Sequence, residues 1–141
     1  MLAHALSRPR SHLLAWPDHP VPGDQAERYR SLVDRRARGE PVAYLTGMRE
    51  FWSLILEVTP ETLIPRPDTE RLVEVALTLV AEDEPAAVAD LGTGTGNVAA
   101  AIATERPRCR VVATDASAGA LAVAARNVDR LGLRNVSLRR G

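Results

Sequence analysis

Leu2, Leu6, Leu13 and Leu14 recur at helical spacing on either side of Pro9, and the run Trp16-Pro17-Asp18-His19-Pro20-Val21-Pro22-Gly23 is a connector in which helix cannot persist. The pattern predicts a helical hairpin. Asp24 then has the place of an N-cap, with Glu27 at capping-box spacing. Tyr29, Leu32 and Val33 mark one face before Gly39 stops the helix. Arg35, Arg36 and Arg38 fall in its last turn, where a solvated cationic face that complements the helix dipole is favoured over an RNA-binding patch. Between Val42 and Val58 the period changes. Tyr44, Phe51, Trp52, Ile55 and Val58 are strand formers and Gly47 is a turn residue, so a β-hairpin is expected there. The segment Thr62-Leu63-Ile64-Pro65-Arg66-Pro67-Asp68 is expected to be extended, because each proline biases the residue before it away from helix. Asp68 is then placed to cap a helix whose apolar positions Leu72, Val73, Ala76, Leu77 and Val80 recur at three and four.

After the acidic break Glu82-Asp83-Glu84-Pro85 the pattern alternates. Residues 86–91 read as a buried strand, 98–103 as helix, 110–114 as strand, 118–131 as helix and 136–138 as strand. Such alternation implies parallel strands joined by right-handed crossovers, an α/β Rossmann-like half sheet in which the strand at 86–91 pairs with 110–114 on one side and is left open on the other, where a complete sheet of this type would place a fourth strand. No internal repeat or low-complexity segment interrupts it.

Composition narrows the function classes. Eighteen Lys+Arg balance eighteen Asp+Glu, so no strong long-range attraction to nucleic acid is expected, and no direct specific contact with it. Every basic residue is Arg, which removes Schiff-base chemistry and any lysine general base. Cys109 is the one cysteine, and His4, His12 and His19 have no partners at metal-site spacing, so neither an intramolecular disulfide nor a metal site is expected. No run approaches the roughly 20 apolar residues of a membrane span, and Arg8 and Arg10 interrupt the N-terminal apolar stretch. A cytoplasmic chain is expected.

The chemistry is concentrated at Asp90-Leu91-Gly92-Thr93-Gly94-Thr95-Gly96, directly after one strand and before a helix. Glycines at alternate positions let the backbone turn tightly and approach a ligand, and the N–H groups of the following helix favour polar or anionic groups. Asp115, nineteen positions after Gly96, ends the next strand, where a carboxylate can accept from both hydroxyls of a ribose. A nucleoside site is implied. The dinucleotide fingerprint requires Gly or Ala at the last position of G-x-G-x-x-G, and that slot is Asn97. A dinucleotide-dependent oxidoreductase is therefore disfavoured. The observed D-x-G-x-G-x-G resembles motif I of class I S-adenosylmethionine-dependent methyltransferases. That resemblance implies that Gly92, Thr93, Gly94, Thr95 and Gly96 line S-adenosyl-L-methionine and that Asp115 holds its ribose. Asp90 would reach the methionine amino group through water, with capping of the loop as its alternative role.

A second set of residues is more specific. Residues 38–47, Arg-Gly-Glu-Pro-Val-Ala-Tyr-Leu-Thr-Gly, then Arg49-Glu50-Phe51-Trp52, then Leu63-Ile64-Pro65-Arg66-Pro67-Asp68-Thr69-Glu70, closely resemble the release factor glutamine N5-methyltransferase family (HemK/PrmC). The resemblance implies methylation of the glutamine side-chain amide in the Gly-Gly-Gln motif of class I peptide chain release factors. It also implies a partial helical recognition domain at 1–46, a β-hairpin linker at 47–67 and a partial S-adenosylmethionine-binding domain at 68–141. Phe51 and Arg66 are candidates to wall the glutamine pocket. Hairpin core is the alternative for Phe51 and Trp52, and an ion pair with Glu70 is the alternative for Arg66. The family's Asn-Pro-Pro-Tyr motif has no counterpart, since no Asn-Pro pair occurs anywhere in the chain. On this reading the chain is shortened at both ends, contains no catalytic residues of its own and is expected to be inactive. An adenine amino-methyltransferase acting on nucleic acid and a non-catalytic cofactor- or release-factor-binding fragment remain as alternatives.

Overall fold

The computed structural model describes all 141 residues, Met1–Gly141, and the chain divides into two compact units, Met1–Gly47 and Met48–Gly141. In the first unit, α1 (Leu2–Ala5) and α2 (Arg10–Ala15) flank Pro9, and α3 (Gly23–Ala37) follows the proline-rich connector. Ala5, Leu32 and Leu45 are buried together, with Met1 and Tyr29 packed against them. Val33, predicted on the same apolar face, is 40% exposed, so the buried stripe is narrower than expected.

The expected Asp24 cap is not formed. Pro22 is the N-cap, and its carbonyl accepts from the Ala26 N–H, so Asp24 lies inside the first turn, where its charge favours the positive end of the helix. At the other end, Gly39 has φ +97°. Its N–H donates to the Arg36 carbonyl while the Glu40 N–H donates to that of Arg35, the Schellman arrangement. That wrap brings the Glu40 carboxylate onto the Arg35 guanidinium.

Residues 42–46 depart from the strand expectation. They form α4 (Val42–Thr46), which begins after Pro41 and ends at Gly47 with φ +71°. Pro41 fixes a starting φ compatible with helix, and burial of Leu45 in the first unit's core outweighs the strand preference of Val42 and Tyr44.

The second unit opens with an antiparallel hairpin, β1 (Met48–Phe51) and β2 (Leu54–Glu57), in register Met48↔Glu57 through Phe51↔Leu54. Trp52 and Ser53 form its two-residue loop, both with positive φ, the pattern of a type I′ turn without glycine. The segment after Thr62 runs extended to a 3-10 turn at Pro67–Thr69, and α5 (Glu70–Leu79) follows. Asp68 sits within the 3-10 turn rather than capping α5. The N-cap is Thr69, with no side-chain bond.

β3 (Ala87–Leu91), α6 (Asn97–Glu105), β4 (Arg110–Asp115), α7 (Ala118–Leu131) and β5 (Val136–Arg140) complete the chain. The three strands are parallel in the order β3-β4-β5. In this sheet β4 is the middle strand, and β3 pairs with it on one side only, leaving the other edge open as expected for residues 86–91. Within this chain no strand pairs with the outer edge of β3, and Leu91 at its tip is 78% exposed. Phe51, Leu56, Val73, Ile102 and Val111 form one apolar cluster with Ala99, Ala101 and Ala103 of α6 and Ala113, so hairpin, helices and sheet share a core.

Candidate functional site

The turn from β3 into α6 sets the site. Gly92, Gly94 and Gly96 have φ of +79°, +55° and +78°, a region costly for residues with a Cβ. The Gly92 and Thr93 N–H groups both donate to the Thr114 carbonyl at 2.9 and 2.8 Å, anchoring the loop to the tip of β4. A Cβ on Gly96 would lie 3.3 Å from that of Ala124 on α7, whereas one on Gly92 or Gly94 would meet no protein atom within 4 Å. The loop is therefore pressed against α7 at Gly96 and open at the other two glycines. Thr93 and Thr95 are buried, at 3% and 1% exposure, so their side chains brace the loop from beneath.

Two carboxylates frame it. Asp90 Oδ2 accepts from the Thr93 hydroxyl at 2.7 Å and from the Ala99 N–H at 3.1 Å, tying the strand end to the loop and to the first turn of α6. Oδ1 takes no part in these bonds. Asp115 ends β4; its Oδ2 accepts from the Gly94 N–H and its Oδ1 from the Ser117 N–H, each at 2.9 Å. A carboxylate has about four lone-pair sites, so Asp115 is held in place with acceptor capacity left for hydroxyl groups.

A cavity of about 250 Å³ lies beside the loop, lined by residues 90–95, Asn97 and Val98 on one side and by Leu63, Ile64, Pro65, Arg66, Thr69 and Leu72 on the other. That is smaller than the roughly 300–1,000 Å³ of pockets that enclose a whole drug-sized ligand, and it suits an amino-acid-sized group. Asp115 is not among its lining residues. The two carboxylates thus differ in place: Asp90 borders the cavity, whereas Asp115 lies outside its lining and bonds the loop through the Gly94 N–H. An elongated ligand with an amino-acid end and a ribose fits this division.

The chain matches the model of the PrmC N-terminal domain over residues 1–47 and that of a methyltransferase domain over residues 88–141. It is 54% identical over 140 residues to the release factor glutamine methyltransferase of Pseudomonas aeruginosa, covering 99% of this chain and 50% of that protein. With the enzyme of the same name from Escherichia coli it shares 46% identity over 138 residues, 98% of this chain and 50% of the relative. Nearly the whole chain is thus similar to release factor glutamine methyltransferases. It spans about half the length of the curated relatives it matches. Among solved structures it is similar in fold to M. jannaschii TYW2 in complex with AdoMet, at 14% identity and TM-score 0.55, covering 67% of this chain and 42% of that one. It is likewise similar to the N-terminal domain of human METTL16 in complex with SAH, at 18% identity and TM-score 0.51, covering 64% of this chain and 37% of that one. The parallel α/β sheet expected from the alternating strands and helices, and the methyltransferase fold that the motif resemblance implied, are the ones observed.

The remaining expected residues separate. Arg66 is exposed and lines the cavity together with Asp90. The alternative ion pair with Glu70 is not formed, because Glu70 instead accepts from the Trp52 N–H at 3.0 Å. Phe51 is 1% exposed in the apolar cluster and contributes nothing to the cavity lining. The alternative of hairpin core describes its place. Trp52 donates its indole N–H to Glu105 at 2.8 Å, so the tight turn is pinned at backbone and side chain. Asn127, which no motif marks, is completely buried and bonds to both the glycine loop and β2. Beside it, the Arg126 guanidinium holds the Glu57 carboxyl below the usual carboxylate range, against the opposing effect of partial burial.

Proposed function

We propose that this chain carries the S-adenosylmethionine site of an enzyme that methylates the glutamine side-chain amide in the Gly-Gly-Gln motif of class I release factors. The observation that supports it best is the loop of three positive-φ glycines bonded through Gly94 to Asp115 at the next strand's tip. In this reading Asp115 accepts from the ribose hydroxyls, the backbone of residues 92–96 lies against the cofactor, and Asp90 faces the amino group of its methionine end in the cavity. When bound, the cofactor supplies a methyl group on a positively charged sulfonium. Arg66 lines the opposite wall of the same cavity, and in this reading it borders the entering substrate.

An amide nitrogen is a poor nucleophile because its lone pair is delocalised, so acceptors must hold its NH2 in line with the methyl. The 141 residues contain no Asn-Pro pair to supply the acceptors implied by the family's motif. These residues bind and orient; transfer needs acceptors from beyond them. The test uses methyl-labelled S-adenosylmethionine, a Gly-Gly-Gln peptide or intact release factor, and either this chain or a form of the relatives' full length carrying the same residues. Label is expected on the glutamine with the longer form alone. Absence of label with the longer form overturns the substrate, and comparable turnover by this chain overturns the placement of the acceptors.

A further inference from the structure

Asn127 lies in the third turn of α7 and is 0% exposed. An interior helical Asn has no local reason to be there, since its short polar side chain competes with the helix backbone. Its amide is instead spent entirely on distant partners. Nδ2 donates to the Thr95 carbonyl at 2.9 Å and to the Glu57 carbonyl at 3.0 Å, while Oδ1 accepts from the Glu57 N–H at 2.7 Å and from the Arg130 guanidinium at 3.1 Å. Two donors and two acceptor sites are the full capacity of an Asn side chain. Arg130 in turn donates to the Ile55 carbonyl, so the same cluster grips β2 twice.

We propose that Asn127 is a positioning residue that sets the glycine loop by locking the Thr95 carbonyl to the backbone of β2. The inference rests on the proposed S-adenosylmethionine site and adds to it a residue that touches no cofactor. Thr95 lies between Gly94, whose N–H binds Asp115, and Gly96, which abuts Ala124 of the same helix. Glycines on both sides leave the Thr95 peptide units few steric restraints of their own; the Gly96 N–H donates to the Thr93 carbonyl at 2.8 Å within the loop, and the buried Asn127 amide holds the other end of that peptide unit from outside it. Asp has no N–H for either carbonyl, Leu leaves buried groups unpaired, and Gln is a methylene longer at a fully buried position.

The test compares Asn127→Asp and Asn127→Ser with Asn135→Ala. Asn135 donates to the Ala103 and Arg106 carbonyls at the far end of α6, so its loss weakens the fold away from the loop. Two readouts are taken on folded protein, well below each variant's melting temperature. In calorimetry the Asn127 variants are expected to bind S-adenosylmethionine roughly tenfold or more weakly, as befits a buried carbonyl left without its donor. Asn135→Ala is expected to melt earlier with its affinity intact. In the ligand-free chain, amide exchange at Gly94 and Gly96 is expected to accelerate in the Asn127 variants only. Asn127→Ser leaves space for a water and serves where Asn127→Asp does not fold. Unchanged affinity and unchanged exchange at the two glycines overturn the inference. Faster exchange in a chain whose wild type binds no S-adenosylmethionine supports the locking role and overturns the cofactor reading instead.

Discussion

Asp115 accepts two backbone N–H groups, one from the glycine loop and one from the start of α7, so its carboxylate is oriented before any ligand arrives. Pre-orientation lowers the cost of binding, because the charged acceptor does not have to be ordered again. Asp115→Ala is therefore expected to weaken S-adenosylmethionine binding by about 1.5 to 3 kcal/mol, roughly ten- to more than a hundredfold. Asp68→Ala, an exposed residue of the 3-10 turn, is expected to leave it nearly unchanged. Titration calorimetry on both variants checks this, and equal losses contradict the assigned site. At this scale the sequence was legible where spacing alone carries the meaning. Glycines at 92, 94 and 96 and an acid at the next strand's tip are local features of one crossover. Asn127 was not legible, because its partners lie 32 and 70 positions away and a lone Asn in an amphipathic helix reads as a surface residue. Phe51 shows the reverse difficulty: an aromatic beside family-like residues suggests a binding wall, yet it is spent on the core.

Helix α7 joins the hairpin to the sheet. Asn127 and Arg130 bind the backbone of β2, and Arg126 forms a forked pair with Glu57 at 2.7 to 3.0 Å. The Glu57 carboxyl is depressed, first by the Arg126 hydrogen bond and then by the surrounding guanidinium charges, from an ordinary value of 4.5. A group with a lowered folded-state pKa stabilises above its unfolded value and loses that contribution as the pH falls through the folded one. Thermal melts of wild type and Arg126→Met should accordingly differ at neutral pH, and the gap should close as the pH is lowered through and below the carboxylate range. The side chains are 50% and 32% exposed, so the gap should be small and should shrink with added salt. A gap that stays constant down to acid pH would show that packing, not charge, joins them. Elements of the sheet region were legible because buried parallel strands and their crossovers differ sharply in period; α7 falls at the expected residues 118–131. Residues 42–46 were not, since only tertiary burial of Leu45 decides between a strand former's preference and one turn of helix.

For the molecule as a whole, the two compact units bear opposite relations to the sequence pattern. The second unit's sheet, loop and acidic tips follow from a strand–loop–helix succession that any class I methyltransferase shares. The first unit consists of short helices held by three buried side chains, and its match to the PrmC N-terminal domain rests on similarity rather than on chemistry visible in it. With no net charge at neutral pH, affinity for a nucleotide-like ligand must come from the local geometry of the loop and Asp115. In the function proposed above, this geometry accepts S-adenosylmethionine and not a dinucleotide. Calorimetric titration of the wild-type chain with S-adenosylmethionine, alongside NADH under the same conditions, tests it most directly. Saturable binding of S-adenosylmethionine with no heat from NADH is the predicted result. No binding of S-adenosylmethionine, or NADH binding of equal strength, would contradict it.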